Sequence, residues 1–144
     1  MEHQNSGDTF IMEPRITMVT LGVNNIQQSY DFYSKIVGFP SDKGIEGDIV
    51  FFNLQHMLLA LFPKDKLAED ARVSNDGTGF SGITLAHNVK TREEVDAIID
   101  KLRKAGVTIT KEPQDTEWGG YDAYFQDPDG YLWEIAWNPY SWIE

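Results

Sequence analysis

The sequence predicts an α+β fold in which two βαβββ modules in tandem form a curved sheet with a cleft. Three observations carry this. The order strand, helix, strands occurs twice, at about residues 15–63 and 80–139. Two pairs of segments hold matching places in the halves: TLGVNN at Thr20 to Asn25 against TLAHNV at Thr84 to Val89, and LLALFP at Leu58 to Pro63 against LWEIAW at Leu132 to Trp137. Solenoid arrays need about three or more repeats, so a two-copy chain of this order instead wraps its two small sheets into one surface and leaves a cleft between them.

Each element has a local reason. RITMVTLGV alternates and is rich in β-branched residues, which is the pattern of a half-buried strand. Asn25 with Gln28 resembles a capping box, and Ile26, Tyr30, Tyr33 and Val37 follow at helical spacing until Gly38 stops the run. DIVFFNL and HMLLALF read as a hairpin, and a weak strand is expected near Ser41 to Ile45. In the second half FSGITLAH is a strand, and Thr91 with Glu94 makes a clearer capping box. Val95, Ile98, Ile99, Leu102 and Ala105 form the apolar stripe of its helix before Gly106. VTITKEP, YDAYFQ and YLWEIAW supply three more strands, the last two joined by an Asp-Pro-Asp-Gly turn. The polar segment between the halves has room for one helical turn at Lys66 to Ala71. Residues 1–13 read as a flexible tail, followed by one domain over 14–144.

Composition excludes several functions. The 144 residues contain no cysteine, which removes disulfides, thiolate metal sites and cysteine nucleophiles together and fits a cytoplasmic location. Twenty-three acidic against twelve basic residues give a formal charge of −11, which repels phosphate backbones and anionic lipid. No nucleic-acid or membrane partner is expected, and no segment has the apolar length of a membrane helix or the pattern of a leader. Phosphate loops, Gly-x-Ser-x-Gly elbows and His-Glu-x-x-His motifs are absent.

The segments ITMVTLGVNNIQQSYDFYSKIVGF, GITLAHNVKTREEVDAIIDKLRKAGV and GGYDAYFQDPDGYLWEIAWNP together resemble the glyoxalase / bleomycin-resistance / extradiol-dioxygenase family, the vicinal oxygen chelate superfamily. The likeness runs from Arg15 to Pro139 and is nearest to a bacterial branch described only as glyoxalase-like. It implies the fold, whereas reactions in this family differ widely. In metal-using members the cleft takes one ligand from the first and one from the last strand of each module. Carried over by position, these places are Met18, Ala60, Gly82 and Glu134, of which only Glu134 can hold a hard or borderline cation. The resemblance therefore implies no metal and no cofactor here, because a catalytic metal normally needs about three protein ligands.

Alternation places Met18, Thr20, Thr84, Ala86, Leu132 and Glu134 on the concave face, with Trp118 and Tyr124 nearby. Thr20, Thr84, Trp118, Tyr124 and Glu134 are the expected ligand-binding residues of a small-molecule site. His87 has the opposite parity and is expected as a hydrogen-bonded structural residue toward the helices. Two functions remain open. One is a metal-independent, homodimeric binding protein for an aromatic or cationic small molecule. The other is a lyase, isomerase or related enzyme that uses Glu134 as general base or recruits a divalent metal. A structural role for Glu134, paired with a base such as Arg15 or bonded to a tyrosine, stays open beside both. Exposed aromatic surface is expected near Trp137, Tyr140 and Trp142 and motivates the dimer.

Overall fold

A computed structural model of the chain describes residues 12, 14–77 and 79–139. The first module contributes β1 (Met18–Val23), α1 (Ile26–Asp31), β2 (Val50–Leu54) and β3 (Met57–Pro63). After α2 (Lys64–Ala71) the second adds β4 (Thr84–Val89), α3 (Arg92–Lys104), β5 (Thr108–Asp115), β6 (Tyr121–Gln126) and β7 (Leu132–Trp137). The first sheet has the order β1-β3-β2 and the second β4-β7-β6-β5. In both, the first strand runs parallel to the last and the remaining pairs are antiparallel.

The starts of α1 and α3 are both capped, the first by one half of the expected box and the second by both. The Asn25 side chain accepts from the Gln28 amide, and Thr91 and Glu94 cap each other reciprocally. On α3 Val95, Ile99 and Leu102 of the expected stripe are buried, Ile98 is partly buried, and Ala105, which caps the helix, is exposed. The first helix departs from expectation, because beyond Asp31 it widens into a π-helix over Phe32–Val37. At its end the Tyr33 carbonyl accepts from the Gly38 and Phe39 amides, and Gly38 takes φ +93°, which glycine adopts without steric cost.

The weak strand expected near Ser41 to Ile45 does not form. Among the described residues that region holds one isolated bridge, Glu46 to Ile49, because Gly44 and Gly47 both take positive φ and turn the chain. A single bond from the Asn53 amide to the Pro40 carbonyl ties the loop to β2. The first sheet consequently has three strands and the second four.

One core joins the modules. Phe52, Leu59 and Leu61 of the first sheet and Val95 and Ile99 of α3 are fully enclosed within the same cluster as Phe125, Trp133 and Ile135. Each such side chain contributes about 1.5–3 kcal/mol when removed from water. Polar groups complete the joint at the Asp-Pro-Asp-Gly turn. Tyr33 donates to Asp127 at 2.7 Å and accepts from Trp133 Nε1 at 3.0 Å. Asp129 accepts from the Asn24 amide at 2.9 Å and from Ser29 Oγ at 3.0 Å, while Tyr131 donates to the Gly22 carbonyl at 2.9 Å. The turn closes the β6–β7 hairpin and also clasps the first module.

Candidate functional site

Strand alternation decides which side chains meet. In the second sheet Ala123, Phe125, Trp133 and Ile135 face the core and α3, so Asp122, Tyr124 and Glu134 project from the opposite face. Tyr124 pairs directly with Glu134, and Asp122 pairs with Ala136, one step diagonal to Glu134. On the next strand Lys111 pairs with Tyr124. Thr84, on β4, pairs with Leu132, and its side chain acts to lower the Tyr124 phenol. Four strands thus bring Thr84, Lys111, Asp122, Tyr124 and Glu134 onto one polar face.

The chemistry centres on two carboxyl groups and one ammonium. Lys111 Nζ lies 2.9 Å from Asp122 Oδ1 and 5.7 Å from the centre of the Tyr124 ring. The Asp122 side chain is only 5% exposed against 37% for Lys111, so this ion pair is shielded on its acidic side. Glu134 hydrogen-bonds Asp122. Desolvation, the bond to Asp122 and the charge of Asp122 raise the Glu134 carboxyl from its ordinary 4.5 to about 7, opposed by Lys111. Near neutrality Glu134 is accordingly only partly protonated, so it can either donate or accept a hydrogen bond. Partial burial and these acids also raise the Tyr124 phenol, while the bond to Asp122 raises Lys111.

Among the expected site residues, Thr84, Tyr124 and Glu134 come together. Thr20 sits on the other sheet, opposite Ala60, and lines a separate apolar cavity of about 340 Å³ that also reaches Leu132. Trp118 occupies the turn before β6. Its ring lies against Gly120, where a Cβ would come within 2.1 Å of the indole. Sequence reasoning missed Asp122 and Lys111. The signal for Asp122 was present, since YDAYFQ places it two residues before Tyr124 on the same face and the Asp-Pro-Asp-Gly hairpin fixes the register against Glu134. A cation of the cluster is Lys111. His87 pairs with Ile135 on the helix-facing side, as its parity requires, yet its side chain has no hydrogen-bond partner among the described residues.

A resident metal does not fit these residues. Met18 is exposed, Ala60 is buried without a donor atom, and Gly82 has no side chain. Among the described residues, no group of three or more histidines, aspartates or glutamates stands close enough to hold a metal ion.

Comparison with known proteins defines the class. The profile of the Glyoxalase/Bleomycin resistance protein/Dioxygenase superfamily matches residues 15–135. The chain belongs to that superfamily. It is similar to a glyoxalase-related enzyme from Fulvimarina pelagi, with 31% identity, a TM-score of 0.77, and coverage of 88% of this chain and 90% of that one. A glyoxalase / bleomycin resistance protein / dioxygenase from Nocardioides shares the fold at 23% identity and a TM-score of 0.77, over 94% of this chain and 90% of that one. A lactoylglutathione lyase of Arabidopsis thaliana is 26% identical over 129 residues, which are 84% of this chain but only 43% of that protein. No helix among the described residues is long and apolar enough to cross a membrane.

Proposed function

We propose that the chain is a metal-independent small-molecule binding protein whose ligand docks on the face of the second sheet turned away from α3, against Thr84, Tyr124 and Glu134. The observation that carries this reading is the Asp122–Glu134 pair. Two carboxyl groups beside one ammonium, with a tyrosine ring on the same face, present a polar anchor next to an aromatic surface. Such a face suits a small aromatic molecule carrying a cationic or hydrogen-bond-donating group. A homodimer in the cytoplasm remains part of the proposal, in keeping with the acidic, cysteine-free composition. Thr20 and Trp118 contribute to it only if a bound ligand or a second subunit reaches their positions.

The test is a titration of isotope-labelled, EDTA-treated protein with benzylamine and with benzyl alcohol as its neutral counterpart. Shifts confined to Thr84, Tyr124 and Glu134, stronger for the amine and abolished by Glu134→Gln, support the reading. Shifts elsewhere, or shifts that require added divalent metal, overturn it.

A second reading, an enzyme using Glu134 as general acid or base, is favoured by one specific observation. A carboxyl raised to about 7 can take up or release a proton at neutral pH, which is the property general acid–base catalysis demands. Asp122 and Lys111 would act through Glu134, setting where its proton resides. Lactoylglutathione, the compound in the name of the plant relative, is the first substrate to try. Turnover that persists in EDTA and disappears in Glu134→Gln supports catalysis, and binding without turnover leaves the first reading.

A further inference from the structure

The reverse face of β7 borders a second cavity that the reading above does not use. It has a volume of about 290 Å³ and lies where the π-helix of the first module meets α3 and the second sheet. Phe39, Phe125, Trp133 and Ile135 form its apolar wall, with Trp133 stacked on Phe125 at 6.3 Å and 5.9 Å from Phe39. The indole N–H is already satisfied by Tyr33, so no polar group of that ring needs a partner in the cavity. Two polar side chains complete the lining, and both are basic: His87 from β4 and Lys101 from α3.

Neither has a side-chain hydrogen bond or ion pair with another described residue. The neighbouring acid of α3, Asp100, is engaged by Arg103 at 2.7 Å. In a chain of net charge −11, an apolar cavity whose only ionisable lining groups are basic departs from the general surface.

We infer that this junction cavity is a binding site for a small aromatic monocarboxylate, its ring against Phe39, Phe125 and Trp133 and its carboxylate toward Lys101 and His87. The apolar wall supplies the burial, and the basic rim supplies the sign of charge that discriminates among ligands. A cavity of this volume accommodates one ring system. The inference is independent of the Glu134 site, because the two sets of side chains project from opposite faces of the sheet.

The experiment uses 2-naphthoate, with 2-naphthalenemethanol as the neutral isostere, titrated into the full-length protein by calorimetry and by NMR of the tryptophan indoles and of His87. Expected are shifts at the Trp133 indole N–H and at His87, and an affinity for the acid at least about fivefold above that for the alcohol. Lys101→Met keeps the aliphatic stem on an exposed helix position, so the fold survives. It should abolish the preference for the acid while leaving the alcohol unchanged. Equal binding of acid and alcohol, a preference that survives Lys101→Met, shifts on the Glu134 face instead, or no binding at millimolar ligand each overturn the inference.

Discussion

Tyr33 and Asp127 stand 94 residues apart in the chain, yet the phenol donates to the carboxylate at 2.7 Å inside the core. The bond unites the DFY helix of one module with the Asp-Pro-Asp-Gly turn of the other. Asp127 also accepts from the backbone amides of Asp129 and Tyr131, and its burial is what raises it above the ordinary aspartate value. Burial, then the charge of Asp127, pushes the Tyr33 phenol far upward, so it stays a donor.

Replacing Tyr33 by Phe keeps the ring but strands two buried partners, Asp127 Oδ2 and Trp133 Nε1. The expected loss is about 1–3 kcal/mol of folding stability, read from the urea unfolding midpoint at constant slope. An unchanged midpoint would show that water satisfies both groups and that the clasp is dispensable.

Lys111→Met leaves the enclosed Asp122 carboxylate without its ammonium. The fold should weaken by about 1–3 kcal/mol, less than for a fully buried pair because Lys111 itself is partly solvated. Combining Lys111→Met with Asp122→Asn should recover most of that loss. Additive losses in this double-mutant cycle would mean that the two side chains do not interact.

The Glu134 carboxyl gives stability a pH signature. Its native value, about 7, exceeds the ordinary 4.5, so below roughly 4.5 the native and unfolded states both hold the proton. Between 4.5 and 7 only the native state holds it, and this contribution to stability declines as pH rises through that window. Above 7 it is gone. Glu134→Gln, which has no charge to desolvate, should lose this decline and be relatively more stable than the native protein at pH 8. The ion pair in this cluster belongs to Asp122, so the substitution orphans no base. A sharp destabilisation of Glu134→Gln at pH 8 would contradict that assignment.

Chelation should leave the melting temperature unchanged, since Met18, Ala60 and Gly82 offer no hard donor. Protein purified without an affinity metal should carry zinc, manganese, nickel and iron far below one equivalent. Near-unit occupancy, with a melting temperature lowered by EDTA, would reveal a site built from other residues.

Much of the architecture was legible because local chemistry agrees with the fold. Thr91 and Glu94 announce α3, Gly38 ends the first helix, and the Asp-Pro-Asp-Gly turn fixes the last hairpin and with it the Tyr124–Glu134 pair. The segment Ser41 to Ile45 failed as a strand because two glycines with positive φ outweigh a weak alternation. The π-helix has no marker in the apolar spacing, which fits either helix type over so few residues. Lys111 escaped notice for a different reason: β5 reaches β6 through register shifts, so its opposition to Tyr124 cannot be counted from a turn. The role of the turn acids required knowledge of what lies across the core. The aromatic surface expected near Trp137 is half buried at Trp137 itself, and Tyr140 and Trp142 lie outside the described residues.

The clasp made by the Asp-Pro-Asp-Gly turn also bears on how the protein comes apart. Two modules of the same element order could melt separately, each with its own transition, if they met only through a soft apolar seam. Here Asp127 and Asp129, at the far end of the chain, hold Tyr33, Ser29 and Asn24 near its beginning, and losing either half deprives the other of buried partners. The halves are therefore thermodynamically one unit: a single calorimetric peak, with van't Hoff and calorimetric enthalpies equal, is the behaviour this connection imposes. A hinge motion between the modules would have to break the same bonds.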